Sequence, residues 1–145
     1  MKIEKTITIN ATKESVWKVL TEDQYTSQWY AEFMEGSHAV GDWTEGSKIY
    51  FQDHSKSGMI AKINTNKPFE LIEIEYTGWL ENGEEKYDGP MADAVKGGKE
   101  IYRLEEAGGV TQLHAAADIG PEMYEEMNGL WDKAAIKLKA LAEAI

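Results

Sequence analysis

The sequence predicts an α+β fold in which a curved antiparallel sheet of about six or seven strands wraps around a long C-terminal helix. Residues 121–145 have the apolar spacing of a helix, and most of the preceding chain has the alternating pattern of strands. At about 1.5 Å per residue this helix would be about 37 Å long, roughly the width of a small domain. One bent sheet can therefore hold it along its length, and we expect function in a gap between helix and sheet.

The first strand and two short helices are predicted from the N-terminal part of the chain. Isoleucines alternate with polar residues in Lys2–Ile9, which is typical of a half-buried strand. Asn10 or Thr12 can cap the first helix, and residues 22–30 continue as the second. These two helices therefore interrupt the sheet early.

The remaining strands are predicted from alternation between turns rich in Gly, Asn and Pro. They cover residues 37–40, 47–53, 59–64, 69–80, 99–105 and 110–119. Residues 81–98 contain four glycines, one proline and many charges, and they show no periodic pattern. We predict a long loop here, which is either functional or mobile and would be a candidate lid.

The C-terminal helix begins with Pro121, whose missing N–H would have no partner in the first turn. Glutamates near its start and lysines toward its end suit the helix dipole. Gly129 interrupts the helix at a cost of about 1 kcal/mol relative to alanine, which predicts that a backbone, a bulky side chain or a ligand approaches there. The predicted buried stripe consists of Met123, Met127, Leu130, Trp131, Ala134, Leu138, Leu141 and Ile145.

Length and composition indicate a single domain over residues 1–145. The chain has 26 acidic and 15 basic residues and a net charge of -11, which repels nucleic acids and anionic membranes, so we expect neither as a partner. Cysteine is absent, which excludes disulfides and thiolate chemistry. The charged start predicts no signal peptide, and no apolar run approaches the ~18 residues of a membrane span. We therefore expect a cytoplasmic protein.

No recognised catalytic or metal-binding spacing is present. His38, His54 and His114 are far apart, so we expect no metal site, and we assign no cofactor. The segment 96–99 lacks the spacing of a phosphate-binding loop, and no Gly-x-Ser-x-Gly motif occurs. We assign no catalytic residue and favour a noncatalytic protein over an enzyme.

A set of short motifs occurs along the chain in a fixed order. It comprises Ile7-x-Ile9-x-Ala11, Val16-Trp17, Leu20-Thr21, Trp29, Gly46, Gly58, Pro68 with Leu71, and Gly109-Val110-Thr111-Gln112-Leu113. Over nearly the whole chain this order resembles the C-terminal domain of the activator of the ninety-kilodalton heat-shock protein ATPase. That family is part of the START and SRPBCC superfamily, which includes the birch-pollen-allergen-like proteins. The resemblance implies the helix-grip fold and a ligand cavity.

The sequence departs from that family's pattern in two places. Leu130 stands between Gly129 and Trp131, where the family often has tryptophan directly after the glycine. Residues 81–98 are also longer and more polar than the usual hairpin connection.

Candidate pocket residues follow from the apolar stripe and the strands that face it. Glu73, Glu75 and Arg103 are candidate polar groups in the pocket, although the alternation favours placing this face on the solvated side of the sheet. A closed core without a pocket is an equally weighted alternative. The apolar candidates are Phe51, Met59, Tyr76, Met123, Tyr124, Met127, Gly129 and Trp131.

Three functions follow from these observations. The leading hypothesis is a noncatalytic protein that holds a small apolar or amphipathic molecule between helix and sheet. The resemblance also implies a chaperone-interacting protein. The chain begins at its first strand, with no room for the activator's separate N-terminal domain, so we expect no full ATPase stimulation. A cyclase- or hydrolase-type enzyme is less favoured, with His54 and the three polar candidates as its acid or base groups.

Overall fold

The computed structural model describes residues 1–145 and contains eight strands and four α-helices. Their order along the chain is β1 (Lys2–Ile9), α1 (Lys13–Thr21), α2 (Asp23–Tyr30), β2 (His38–Val40), β3 (Lys48–Gln52), β4 (Gly58–Lys67), β5 (Leu71–Glu81), β6 (Glu84–Lys86), α3 (Pro90–Val95), β7 (Lys99–Ala107), β8 (Val110–Asp118) and α4 (Tyr124–Glu143). No helix is both long and apolar enough to cross a membrane.

The strands form one antiparallel sheet that curls into a half-barrel. The strand order is β1-β8-β7-β5-β4-β3-β2, and the short β6 pairs with the end of β5. The pairing of β4 with β5 contains two register shifts, which bend strands and increase their twist. The concave face of the sheet holds α4, so the predicted α+β helix-grip architecture is confirmed.

The two N-terminal helices pack on each other and on α4. Thr12 caps α1, because its hydroxyl oxygen accepts a hydrogen bond from the Ser15 N–H at 3.3 Å. Trp29 of α2 donates its indole N–H to the Val19 carbonyl at 2.9 Å. This bond fixes α2 against α1 and places the Trp29 ring inside the molecule, where its exposed fraction is 2%.

The C-terminal helix begins three residues later than the sequence predicts. Residues Pro121–Met123 form a 3₁₀ turn, and α4 follows from Tyr124 to Glu143. The predicted stripe is correct in its middle and wrong at its ends, since Met123 and Ile145 are 41% and 50% exposed. The fully buried residues of the helix are Trp131, Ala134, Leu138 and Ala142.

Residues 81–98 are structured, so the prediction of a patternless loop was wrong. They contain β6 and α3, which are too short to show a period in the sequence. Glu85 of β6 accepts hydrogen bonds from Tyr50, Tyr87 and Lys48, and these bonds lower the pKa of Glu85 to about 2. The lack of a side chain at Gly78 of β5 allows the end of β6 to lie close to it, because a Cβ there would be 2.7 Å from the Lys86 carbonyl oxygen.

Leu138 and Ile136 give a matched test of how α4 docks. Leu138 is fully buried, whereas Ile136 on the opposite side is 71% exposed. We expect Leu138→Ala to lower the free energy of unfolding by about 2–5 kcal/mol through lost burial and the cavity left behind. Ile136→Ala should change it by about 0.5 kcal/mol or less. Urea denaturation measures both, and equal losses would contradict this orientation of the helix.

Candidate functional site

A cavity lies between α4 and the concave face of the sheet. Its larger chamber has a volume of about 390 Å³, and an adjoining chamber has about 130 Å³. The two chambers share the side chains of Met59, Tyr76, Glu100, Met127 and Trp131. A closed core, the alternative left open by the sequence, is therefore not what the chain forms.

The smaller chamber has mostly aromatic walls. Trp131 of α4 is central to them, with ring centroids 5.2 Å from Phe33 and 6.2 Å from both Trp29 and Tyr102. Most of these rings meet edge to face or tilted, which is the favourable geometry for aromatic pairs. The aromatic residues that line this chamber are Trp29, Tyr30, Phe33, Phe51, Tyr76, Tyr102 and Trp131.

Glu100 is the acidic side chain common to both chambers. It lies on β7, where alternation places Glu100, Tyr102 and Leu104 on the concave face. The Tyr76 hydroxyl donates a hydrogen bond to Oε1 of Glu100 at 2.9 Å, and the Tyr102 hydroxyl donates to Oε2 at 3.0 Å. Each carboxylate oxygen therefore has one phenol donor, supplied by a different strand.

Burial dominates the electrostatics around this carboxylate. Loss of hydration raises the pKa of Glu100, and the hydrogen bonds from Tyr76 and Tyr102 lower it by less. Burial, reinforced by the charge of Glu100, also raises the pKa of Tyr30, Tyr76 and Tyr102 well above the usual value. The three phenols therefore stay protonated and act as hydrogen-bond donors. Glu100 is partly exposed, and the surface it exposes faces the chambers that it lines.

The larger chamber meets solvent where exposed residues line it, namely at Met1, Ala94, Lys96 and Asp118. Two of these lie in or beside α3, within the segment that the sequence singled out as a long polar loop. That segment therefore forms part of the cavity wall.

The structure brings together five of the eight predicted apolar pocket residues. Phe51, Met59, Tyr76, Met127 and Trp131 line the chambers. Neither chamber is lined by Met123, Tyr124 or Gly129. The prediction of a close approach at the glycine was wrong, because a Cβ added there meets no atom within 4 Å.

The predicted polar groups lie outside the cavity, and their placement in the pocket is corrected. Glu73 and Glu75 point to the outer face, where the Asn64 amide donates to them at 3.2 and 2.9 Å. Arg103 is exposed, and His54 lies beside His38, with ring centroids 5.9 Å apart. The reason is strand parity, since a central strand that buries its even-numbered residues turns its odd-numbered ones outward.

Glu100 is the polar site residue that the sequence reasoning missed. Its position in the alternating pattern of β7 identifies it, because Glu100 lies on the same face of the strand as Tyr102 and Leu104, which are both buried. A carboxylate at an apolar position of a strand indicates an inward-facing acid. No group of three or more His, Cys, Asp or Glu side chains is arranged to hold a metal ion.

Comparison with known proteins identifies one matching family. The model of the family described as activator of Hsp90 ATPase homolog 1-like protein matches residues 10–143. No curated protein matches the sequence.

Solved structures share the fold at low sequence identity. Protein MLL2253 from Mesorhizobium loti has a TM-score of 0.75 and 12% identity, covering 99% of this chain and 98% of that one. The Aha1 dimer from Colwellia psychrerythraea has a TM-score of 0.74 and 19% identity, with 99% and 96% covered. DynU16, from the dynemicin biosynthetic locus, has a TM-score of 0.71 and 13% identity. The match covers 98% of this chain and 47% of DynU16, so the chain spans about half of that protein's length.

The raised pKa of Glu100 predicts how Glu100→Gln changes stability with pH. A group whose pKa is higher in the folded state favours folding below its unfolded pKa, and that contribution is lost as pH rises through the folded pKa. The melting temperature of the wild type relative to Glu100→Gln should therefore fall as pH rises from about 4, which is close to the unfolded pKa of a glutamate. Thermal denaturation across this range measures it. A difference that does not vary with pH would contradict the desolvated position of the carboxyl group.

Proposed function

This chain belongs to the activator of Hsp90 ATPase homolog 1-like family, and from that premise we propose that it is a noncatalytic protein that binds a small, mostly apolar molecule. The cavity between α4 and the sheet carries this proposal. Its larger chamber, of about 390 Å³, lies within the size range of small-molecule sites in proteins. An apolar cavity of roughly 150 Å³ is already enough to hold benzene.

The chemistry of the lining supports an apolar body with a small polar part. Most lining residues of both chambers are apolar or aromatic. A ligand with about seven buried carbons gains about 0.8 kcal/mol for each, or between 5 and 6 kcal/mol in all, which corresponds to a Kd of about 0.1 mM. Tighter binding therefore needs a polar contact in addition.

Binding suits the polar groups of the cavity better than catalysis does. Glu100 contacts two phenols whose pKa values are raised by burial, so both hold their protons. Such donors fix the carboxylate in place and exchange protons poorly at neutral pH. This arrangement favours a site that orients a ligand.

The family match favours a second candidate function, association with a heat-shock chaperone of the ninety-kilodalton class. Binding to the purified chaperone, followed by light scattering or calorimetry, tests the association, and the rate of ATP hydrolysis tests its effect. A complex with altered ATP turnover would support this role. No complex at micromolar concentrations and unchanged turnover would eliminate it.

Two neighbouring alanines on β8 give a matched test of the cavity. Ala117 lies opposite Glu100 on the concave face, and Ala116 faces outward. We expect Ala117→Leu to fill the larger chamber and to weaken binding of propylbenzene, indole or 1-octanol at least tenfold. Ala116→Leu should bind as the wild type does. The fluorescence of Trp29 and Trp131, which line the smaller chamber, reports binding.

Melting temperatures of both variants control for folding. No fluorescence change of the wild type across the whole panel would refute the proposal, as would equal binding by the two folded variants.

A further inference from the structure

The Glu100 carboxylate has unused hydrogen-bonding capacity that faces the cavity. An ionised carboxylate has about four acceptor positions, and the phenols of Tyr76 and Tyr102 occupy two of them. No Lys, Arg or His nitrogen lies within 4.0 Å of it, since Glu100 takes part in none of the protein's ion pairs. Buried charges in proteins are ordinarily paired. The protein thus supplies the anion of an ion pair without its cation.

The walls around Glu100 also favour a cation. The rings of Tyr30, Tyr76, Tyr102 and Trp131 line the smaller chamber together with Glu100. The faces of such rings attract ammonium groups, most strongly where water is excluded. A net charge of -11 raises the concentration of small cations near the protein. A carboxylate among aromatic rings therefore selects a positive head group over a neutral or negative one.

The other charged groups on the chambers already have partners. These are Lys96, Asp118 and the amino group of Met1, all at the solvent side of the larger chamber. Their partners are, respectively, the Asp93 carboxylate at 2.9 Å, the Lys99 N–H at 3.0 Å and the Ile119 carbonyl at 3.0 Å. Around Glu100 itself the titratable neighbours are Tyr30, Tyr76 and Tyr102, and α4 contributes only Met127 and Trp131. Glu100 is thus the charged group left to meet a ligand.

We propose that the ligand is an arylalkyl primary amine, bound as its ammonium ion, with the charged head on Glu100 and the ring in the smaller chamber. This inference rests on the proposed function, because it names the class of molecule that the cavity holds. The smaller chamber, at about 130 Å³, is close to the roughly 150 Å³ that accommodates benzene. The pair of an ammonium ion with Glu100 supplies the polar contact that apolar burial alone lacks.

Binding of an ammonium ion should depend on pH in a defined direction. The head pairs with ionised Glu100, and burial raises the pKa of Glu100 in the empty protein. Amine affinity therefore falls as pH falls through that pKa, and binding at a pH where Glu100 is protonated releases a proton. The three phenols remain protonated throughout this range, so Glu100 alone produces the dependence.

Calorimetry with two ligands of equal size tests the inference. 2-Phenylethylamine and 2-phenylethanol differ in the charged head, and each is titrated into the wild type and Glu100→Gln at pH 8 and pH 5. We expect the wild type at pH 8 to bind the amine at least tenfold more tightly than the alcohol. Lowering the pH should weaken amine binding as Glu100 takes up a proton, because the ammonium head then loses its anion. In Glu100→Gln the preference for the amine and its pH dependence should both disappear.

The outcomes separate this inference from the proposed function. Equal binding of the two ligands, or an amine preference that persists in Glu100→Gln, overturns the ammonium assignment and leaves the apolar-binding function intact. Failure of both ligands and of the wider apolar panel to bind overturns both. If Glu100→Gln does not fold, the two ligands on the wild type decide, since equal affinity for the amine and the alcohol at pH 8 refutes the pairing with Glu100.

Discussion

The packing of α4 along β1 is the contact on which the rest of the structure depends. The buried alanines Ala134 and Ala142 and the buried Leu138 seat the C-terminal half of the helix directly on its neighbours. A hydrogen bond and an ion pair also join α4 to β1. Lys139 donates to the Thr8 carbonyl at 2.7 Å, and Lys5 pairs with Asp132 at 2.7 Å. Small side chains allow this close approach.

At its N-terminal half α4 presents Met127 and Trp131 to both chambers. The two chambers lie between this half of the helix and the sheet. Unfilled space and a desolvated carboxylate both reduce stability. The closely packed C-terminal half of α4 provides buried apolar surface that offsets the cost of the cavity and of the desolvated carboxylate. One end of the helix thus stabilises the fold, and the other end forms the site.

The pocket shows how far a periodic pattern predicts a site. The alternation in β5 correctly identified Tyr76 as a residue of the apolar face, and the helical stripe identified Met127 and Trp131. The same alternation allowed either an inward or an outward position for the Glu73 side chain, and this side chain lies on the outer face of the sheet. Glu100 was not predicted, because only its two-residue spacing from Tyr102 indicates that it faces inward. In a chain with 26 acidic residues, one carboxylate is not distinctive.

By itself, the sequence determined the family, the α+β class, the order of the elements outside residues 81–98 and five of the apolar residues that line the cavity. These properties follow from local periodicity, turn residues and the order of short motifs, all of which can be read along the chain. The tertiary structure alone decided that Gly129 faces solvent, that α3 forms part of the cavity wall, and that Tyr76 and Tyr102 both donate to Glu100. Such features depend on the rotation of α4 and on strand register, which are set by contacts between residues far apart in the sequence.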